Sequence, residues 1–181
     1  MVLVVPQAVG YCCPSTGRGA LNDIEHTFAT HERWMRAAID EANIAGKAGD
    51  VPIGAVVVHG DRIIGRGHNR VEALKDPTAH AEILALGAAS STIGDWRLDE
   101  CALYSTLEPC TMCSGAIMLG RPRLLVYGAE DPRAGAVQSK GRLLEDNPYN
   151  LEFEVVAGIL AQECGDLLRD FFRSLRQKPT L

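Results

Sequence analysis

The chain has 181 residues, of which 46% are hydrophobic and 23% charged, a composition that is typical of a folded globular protein and excludes a disordered or collagen-like chain. Eighteen Lys and Arg against 23 Asp and Glu give a formal net charge of −5, which by itself argues against a nucleic-acid partner. No apolar run approaches the roughly 18–20 residues that cross a bilayer, so the sequence predicts one domain without a membrane span.

The first 26 residues differ from the rest of the chain. They carry three glycines and a proline between positions 10 and 19 and have no periodic hydrophobic pattern. We therefore predict a disordered N-terminal extension over residues 1–26 and a single domain over residues 27–181. Cys12 and Cys13 fall in the extension, where we expect incidental thiols.

The remaining elements follow from hydrophobic periodicity and from turn residues. An amphipathic helix is predicted first, then a hairpin, and then helices and strands in alternation. Such an order is typical of a three-layer α/β/α domain, with a five-stranded mixed sheet between the helices. In chain order the predicted elements are a helix over 31–47, a hairpin around Gly60-Asp61, a helix over 80–90 with Thr78 as its N-cap, a strand over 101–107, a helix over 110–119, a strand over 124–128, a strand within 151–158 and a helix over 161–176.

Two short motifs, thirty residues apart, carry the chemistry of the chain. They are His80-Ala81-Glu82 and Pro109-Cys110-Thr111-Met112-Cys113, and each stands at a predicted helix start. A Cys-x-x-Cys spacing there brings two sulfurs together, and the positive end of the helix dipole favours the thiolate that binds metal. With His80 as third ligand and the fourth position open to water, the set is typical of a catalytic zinc site. Glu82 would take a proton from the zinc-bound water and pass it on.

Each part of this pattern alone also has a structural explanation. Cys-x-x-Cys occurs in redox proteins and structural zinc fingers, a lone histidine often caps a helix, and the helix dipole favours an acidic residue in a first turn. The conjunction is more specific, because H-x-E…P-C-x-x-C is the signature of zinc nucleobase deaminases. Cys101 and Cys164 lie among apolar neighbours, so we expect them in the core.

Six segments carry a resemblance to a known family. They are VPIGAVVV (51–58), GHNR (67–70), DPTAHAEI (76–83), TLEPCTMCSGAI (106–117), YGAEDPRAGA (127–136) and GILAQECGDLLRDFFR (158–173). On these segments the chain resembles the bacterial tRNA-specific adenosine deaminases of the cytidine deaminase-like superfamily. The zinc motif is shared by the superfamily, whereas the loop around Asp131 and the FFR-containing last helix point to the tRNA branch.

The resemblance implies hydrolytic conversion of adenosine to inosine at the wobble position of a tRNA anticodon. It implies one Zn²⁺ per chain, bound by His80, Cys110 and Cys113. Hydroxide would attack C6 of the adenine while Glu82 protonates N1, and ammonia would then leave.

The resemblance also implies contacts with the RNA. Asn69 matches a position whose amide contacts the target base, Asp131 one that contacts the neighbouring nucleotide's sugar, and Phe172 one that lines the nucleotide pocket. A role as turn residue is an equally simple explanation for the presence of Asn69 or of Asp131. Phe171 is expected in the core. The family further implies a tRNA anticodon stem-loop as partner, a homodimer and a cytoplasmic location.

Two other functions fit parts of the sequence. One is deamination of a free base or nucleoside, of the guanine or cytosine type, which uses the same zinc chemistry in a closed pocket. The other is a non-catalytic, zinc-stabilised module that binds RNA or a partner subunit. Glu82 argues against such a module, because it needs the metal ligands but no acid/base group.

The negative total charge is unevenly distributed. Residues 143–165 contain five acidic and no basic side chains, whereas residues 119–142 contain five basic and two acidic ones. Residues 166–181 contain four basic and two acidic side chains. These two positive segments are the ones that the resemblance places near the RNA. The net charge therefore does not exclude nucleic acid, and predicts a small, salt-sensitive footprint.

Overall fold

A computed structural model describes residues 2–4 and 20–177, and its helices pack against both faces of one mixed sheet. Within these residues, no helix combines the length and apolarity that crossing a bilayer requires. The elements in chain order are β1 (Val2–Val4), α1 (Ala20–Lys47), β2 (Gly54–His59), β3 (Arg62–His68), α2 (Val71–Leu74), α3 (Ala81–Ile93), β4 (Cys101–Leu107), α4 (Thr111–Gly120), β5 (Leu124–Ala129), β6 (Glu154–Ala157) and α5 (Ala161–Gln177).

The described strands lie side by side in the order β1-β6-β5-β4-β2-β3. β2 pairs antiparallel with β3 and with β4, whereas β4, β5 and β6 run parallel, as the α4 crossover and the long 130–153 connection allow. The predicted five-stranded mixed sheet between helical layers is confirmed as β2 to β6. The short β1 adds a sixth strand, parallel to β6, at the sheet edge.

Helix α1 differs from the prediction, because it begins at Ala20 rather than at residue 31. Residues 20–30 contain no glycine or proline that would stop a helix, and periodicity detects only the turns that pack on a sheet. Residues 1 and 5–19, which include Cys12 and Cys13, lie outside the described residues. The disordered extension and the domain start at residue 27 therefore stay predictions.

Strand alternation divides the core between the two faces of the sheet. On β2, Ala55 and Val57 point to one face, where they pack with α3 and α4, while Val56 and Val58 point to the other, where they pack with α1. Cys101 and Cys164, both 2% exposed or less, are in the core as predicted.

Helix α3 lies unusually close to β3, because glycine on the strand faces alanine on the helix. A Cβ built on Gly67 would lie 2.2 Å from the carbonyl oxygen of Ala81, and one on Gly65 would lie 2.3 Å from that of Ala85. The strand and helix backbones are thus nearly in direct contact. This contact sets the depth at which the first turn of α3 lies beside the sheet.

Candidate active site

The two sequence motifs meet where α3 and α4 begin. His80 is the N-cap residue of α3 and Cys110 is the N-cap residue of α4, and neither side chain makes a helix-capping hydrogen bond. The prediction of Thr78 as N-cap of α3 is wrong, because its hydroxyl and its backbone N–H both donate to Asp76 in a local turn. The imidazole and the thiol are consequently left free to face each other.

The geometry of the cluster formed by His80, Cys110 and Cys113 suits a metal ion. The three ligand atoms lie within 4.8 Å of one another. Nδ1 of His80 is 3.7 Å from Sγ of Cys110 and 3.5 Å from Sγ of Cys113. Tetrahedral zinc, with Zn–S near 2.3 Å and Zn–N near 2.0–2.1 Å, requires a sulfur–nitrogen separation of about 3.6 Å. Two sulfurs and one imidazole are also the donor types that zinc prefers.

Protons are distributed unequally over these three groups. Hydrogen bonds from Cys113 and from His80 lower the pKa of Cys110 to about 3. Its thiolate in turn raises the pKa of His80, while the neighbouring Cys110 and burial raise the pKa of Cys113. The cluster thus already stabilises one thiolate at neutral pH, which is the ionisation state that a metal ligand needs.

Glu82 lies in the first turn of α3, two residues after His80, and is only 4% exposed. Burial raises the pKa of its carboxyl group. A buried carboxyl group with a raised pKa beside a candidate metal cluster is a candidate for accepting a proton and passing it to a reacting group.

Asn69 follows β3 and is buried, at 5% exposure. Its side-chain amide donates to Asp50 at 3.1 Å, and Asp50 also accepts two backbone N–H groups of α2. Since a carboxylate only accepts here, the nitrogen of the amide must face Asp50. The next residue, Arg70, donates its N–H to the carbonyl of Ala79, which directly precedes His80. The structure therefore brings Asn69 beside the segment that leads to His80 of the cluster.

Asp131 begins the loop that follows β5 and is partly exposed. One carboxylate oxygen accepts the backbone N–H groups of Arg133 and Ala134, at 2.9 and 3.2 Å, as in the expected Asp-Pro turn. Further along the loop, Gly135 forms an antiparallel bridge with Cys110. The loop that carries Asp131 consequently borders the metal cluster.

Phe172 lies on α5 and is 42% exposed. Its recorded ring contact among the described residues is an edge-to-face one with Phe171, with ring centroids 5.4 Å apart. A groove of about 950 Å³ between β5, β6 and α5 is lined by neither phenylalanine and by none of the cluster residues. The structure thus does not bring Phe172 together with the cluster through any described contact.

Two buried carboxylates of this region were missed by the sequence reasoning. Asp50 orients Asn69, and Glu108, only 1% exposed, accepts hydrogen bonds from the 131–139 loop. The only signal for Glu108 is an acidic residue between an apolar strand and the Cys-x-x-Cys motif. Asp50 follows Gly49 at a helix end, and no pattern separates it from an ordinary turn residue.

Known proteins are similar to this chain over most of its length. The family model of the MafB19-like deaminases matches residues 29–176. A tRNA-specific adenosine deaminase of Bacillus subtilis is 46% identical over 147 residues, which cover 81% of this chain and 91% of the relative.

Solved structures that resemble this chain include deaminases, as the relatives found by sequence do. One, from work on A-to-I editing by tRNA:A34 deaminases at the wobble position of transfer RNA, is 43% identical with a TM-score of 0.72. The match covers 75% of this chain and 99% of that one. A guanine deaminase of Bacillus subtilis is 32% identical with a TM-score of 0.56, covering 83% and 96% of the two chains.

Proposed function

Since the chain belongs to the tRNA-specific adenosine deaminase family, we propose that it converts adenosine to inosine by hydrolysis at the wobble position of a tRNA anticodon. Adenosine and water react to give inosine and ammonia. The observation that carries the proposal is the juxtaposition of the His80, Cys110 and Cys113 cluster with a buried carboxyl group, that of Glu82.

His80, Cys110 and Cys113 would hold one zinc ion per chain. The bound ion supplies Lewis acidity, which makes a water molecule nucleophilic near neutral pH. Within the described residues, the two sulfurs and the imidazole nitrogen would leave a fourth ligand position for a water molecule, as a catalytic site requires.

Glu82 is the group that moves protons. Its carboxylate takes a proton from the attacking water, and the carboxylic acid delivers it to N1 of the adenine. Burial supports this role, because the raised pKa makes the carboxylate a stronger base toward the attacking water.

Asn69, Asp131 and Phe172 are the residues that we propose for RNA binding. The amide of Asn69 is held by Asp50, so that it can present its oxygen to the target base. Asp131 would contact the sugar of the neighbouring nucleotide from the loop that borders Cys110. Phe172, being exposed, would offer an aromatic ring to the nucleotide.

A homodimer in the cytoplasm is the assembly that we propose from family membership. The apolar segment SGAIMLG (114–120) supports an interface on α4, since Leu119 at its end is 55% exposed. Size-exclusion chromatography with light scattering measures the assembly directly, and a monomeric mass would contradict it.

The decisive experiment incubates the zinc-loaded protein with an anticodon stem-loop that has adenosine at the wobble position. Inosine, detected by mass spectrometry of the digested RNA, is the expected product. A stem-loop with guanosine at that position and adenosine elsewhere in the loop is the matched control, and its adenosine should persist.

Free guanine, cytosine and adenosine are tested in parallel. Guanine deamination is the second candidate, because the guanine deaminase of Bacillus subtilis shares 32% identity with the chain. Turnover of guanine without inosine in the RNA would replace the proposed function by this one.

A further inference from the structure

One buried carboxylate lies beside the candidate active site and has no part in metal binding or proton transfer as described above. Glu108 ends the segment that joins β4 to Cys110, and it is 1% exposed. A charged group removed from water in this way costs free energy unless hydrogen bonds satisfy it. Its partners therefore identify what it does.

All five recorded side-chain partners of Glu108 come from one loop, residues 131–139. One oxygen accepts three consecutive backbone N–H groups at 2.8–3.2 Å, and the other accepts a backbone N–H at 3.0 Å and a hydroxyl group. These donors are the N–H groups of Val137, Gln138 and Ser139, the N–H of Asp131 and the hydroxyl of Ser139. A single carboxylate thus holds both ends of the 131–139 loop.

The loop is also in direct backbone contact with the metal-binding segment. The N–H of Ala136 donates to the carbonyl of Pro109 at 2.9 Å, and Gly135 bridges Cys110. A Cβ on Gly135 would lie 2.2 Å from a carboxylate oxygen of Glu108, so there is no room for a side chain between loop and carboxylate. The carboxylate determines where the loop lies relative to Cys110.

The part of the loop that Glu108 does not hold faces solvent. Pro132, Arg133 and Ala134 are exposed. Among the described side chains, which span residues 28–177, neither Arg133 on this tip nor Lys140 just after the loop has an ion-pair partner. Unpaired cations on and next to an exposed loop beside the candidate active site suit the phosphates that flank a target nucleotide.

We propose that Glu108 is a positioning residue for RNA: it fixes the 131–139 loop so that the exposed tip meets the nucleotides beside the target adenosine. This inference rests on the proposed function. It predicts that loss of the carboxylate weakens RNA binding, with the metal cluster and the chemical step retained, because the exposed tip would be displaced from the flanking nucleotides while the reacting groups keep their places.

Glu108→Gln is the first variant, since it keeps the shape of the side chain. Whichever way the amide turns, its NH₂ group faces at least one backbone N–H that the carboxylate accepted, and that donor is left buried without an acceptor. Glu130→Gln is the matched control, because it removes the same charge from an exposed residue next to the loop. Loss of a negative charge alone would strengthen RNA binding, which is opposite to the effect that we expect of Glu108→Gln.

The expected result for Glu108→Gln is a KM for the stem-loop raised about tenfold or more, with kcat within roughly threefold of wild type. Zinc content should remain near one per chain. Hydrogen exchange, followed by mass spectrometry, should accelerate in peptides covering residues 131–139 and remain unchanged in α4. Glu130→Gln should match the wild type or bind RNA more tightly.

Gly135→Ala tests the same contact from the side of the loop. It also tests the proposed role of Glu108 if Glu108→Gln fails to fold. Its Cβ would displace the loop from Glu108, whereas Gly141→Ala, in the same connection, meets no atom closer than 3.6 Å. We expect Gly135→Ala to raise KM and speed loop exchange, and Gly141→Ala to leave both unchanged.

The inference is overturned if wild-type protein forms inosine and both Glu108→Gln and Gly135→Ala keep the wild-type KM or the wild-type loop exchange. It is also overturned if the fall in activity follows loss of zinc, because Glu108 would then only support the metal segment. If wild-type protein forms no inosine, the proposed function itself fails, so the two failures are distinguishable.

Discussion

The two faces of the sheet are packed in different ways. On the face that carries the metal cluster, α3 presents Ala81, Ala85 and Ala89, which lie directly on glycines of β3. On the opposite face, α1 also touches the sheet backbone at Gly54 of β2, where a Cβ would lie 2.0 Å from the carbonyl oxygen of Ala38, but it otherwise presents large side chains, among them Trp34 and Met35. The first face is held by backbone-to-backbone contacts at two successive glycines of β3, and the second chiefly by large side chains that can repack.

This difference separates two effects of packing, which are the exact placement of the active-site turn and the overall stability of the fold. Where two backbones touch, an added methyl group must move a whole helix, and with it the turn that carries His80 and Glu82. Where long side chains interdigitate, a substitution is absorbed by local rotamer changes. Substitutions at the α3–β3 contact should therefore alter chemistry, and those among the large side chains of the opposite face should alter only stability.

The largest effect is expected from Cys113→Ser, which replaces the sulfur of a proposed zinc ligand by the hydroxyl oxygen of a weak ligand. Zinc content should fall from about one per chain to a small fraction, and inosine formation should become undetectable. Cys101→Ser is the control, since Cys101 is buried on the same face outside the cluster. Zinc retained by Cys113→Ser, measured by plasma emission spectrometry, would remove this residue from the metal site.

Glu82→Gln should lower kcat by about 10²–10⁴-fold while zinc remains bound, because the amide cannot transfer a proton but fills the same space. Single-turnover deamination of the stem-loop measures this loss. Glu72→Gln, at an exposed carboxylate, should behave as wild type. A variant at position 82 that turns over within tenfold of wild type would show that another group moves the proton.

Gly67→Ala should destabilise the fold by about 1–3 kcal/mol and reduce activity, because its Cβ would overlap the backbone of α3. Gly87→Ala is the opposite case, since its Cβ meets no atom within 4 Å and alanine favours a helix by about 0.5–1 kcal/mol. Urea unfolding of both variants measures the two changes. Equal stability of the two would contradict the account of the α3–β3 contact.

The smallest effect is expected from His31→Gln on the opposite face. His31 lies 2.9 Å from the hydroxyl of Tyr104, and burial lowers its pKa below 6.5. As the pH falls, His31 is therefore protonated in the unfolded chain at a higher pH than in the folded protein. The stability that neutral His31 provides is complete above pH 6.5 and is lost below it, by no more than about 1.4 kcal/mol per pH unit.

Urea titrations of wild type and His31→Gln at pH 7.5 and pH 5.5 test this sign. The stability difference between the two proteins should narrow at the lower pH, and deamination at pH 7.5 should be unchanged. A fall in kcat would mean that the opposite face also controls the chemistry. It would contradict the contrast drawn between the two faces of the sheet.

The sequence predicted the metal cluster well because its signal is local. Cys-x-x-Cys at a helix start needs only one turn of helix to bring two sulfurs together, and His80 stands in the same kind of position on α3. Apart from the short α2, which was not predicted, the elements from β2 to α5 were predicted for a similar reason, since their hydrophobic patterns are complete within each segment.

The features that were missed depend on distant parts of the chain. Glu108 is acidic and looks exposed in sequence, yet it is buried because donors up to 31 positions away surround it. Asp50 likewise depends on α2, and the true N-cap of α3 on the turn that occupies Thr78. Local patterns do not encode such pairings.

The anchor of the 131–139 loop stands outside the loop, on the segment that leads to Cys110. The loop therefore cannot be exchanged between proteins as an independent unit. A chimera in which residues 131–139 are replaced by the corresponding loop of another deaminase would carry the new tip. The new loop would not be held in place unless position 108 keeps a hydrogen-bond acceptor and position 135 keeps a residue without a side chain. Redesign of substrate choice in this protein has to treat residues 108 and 131–139 as one unit.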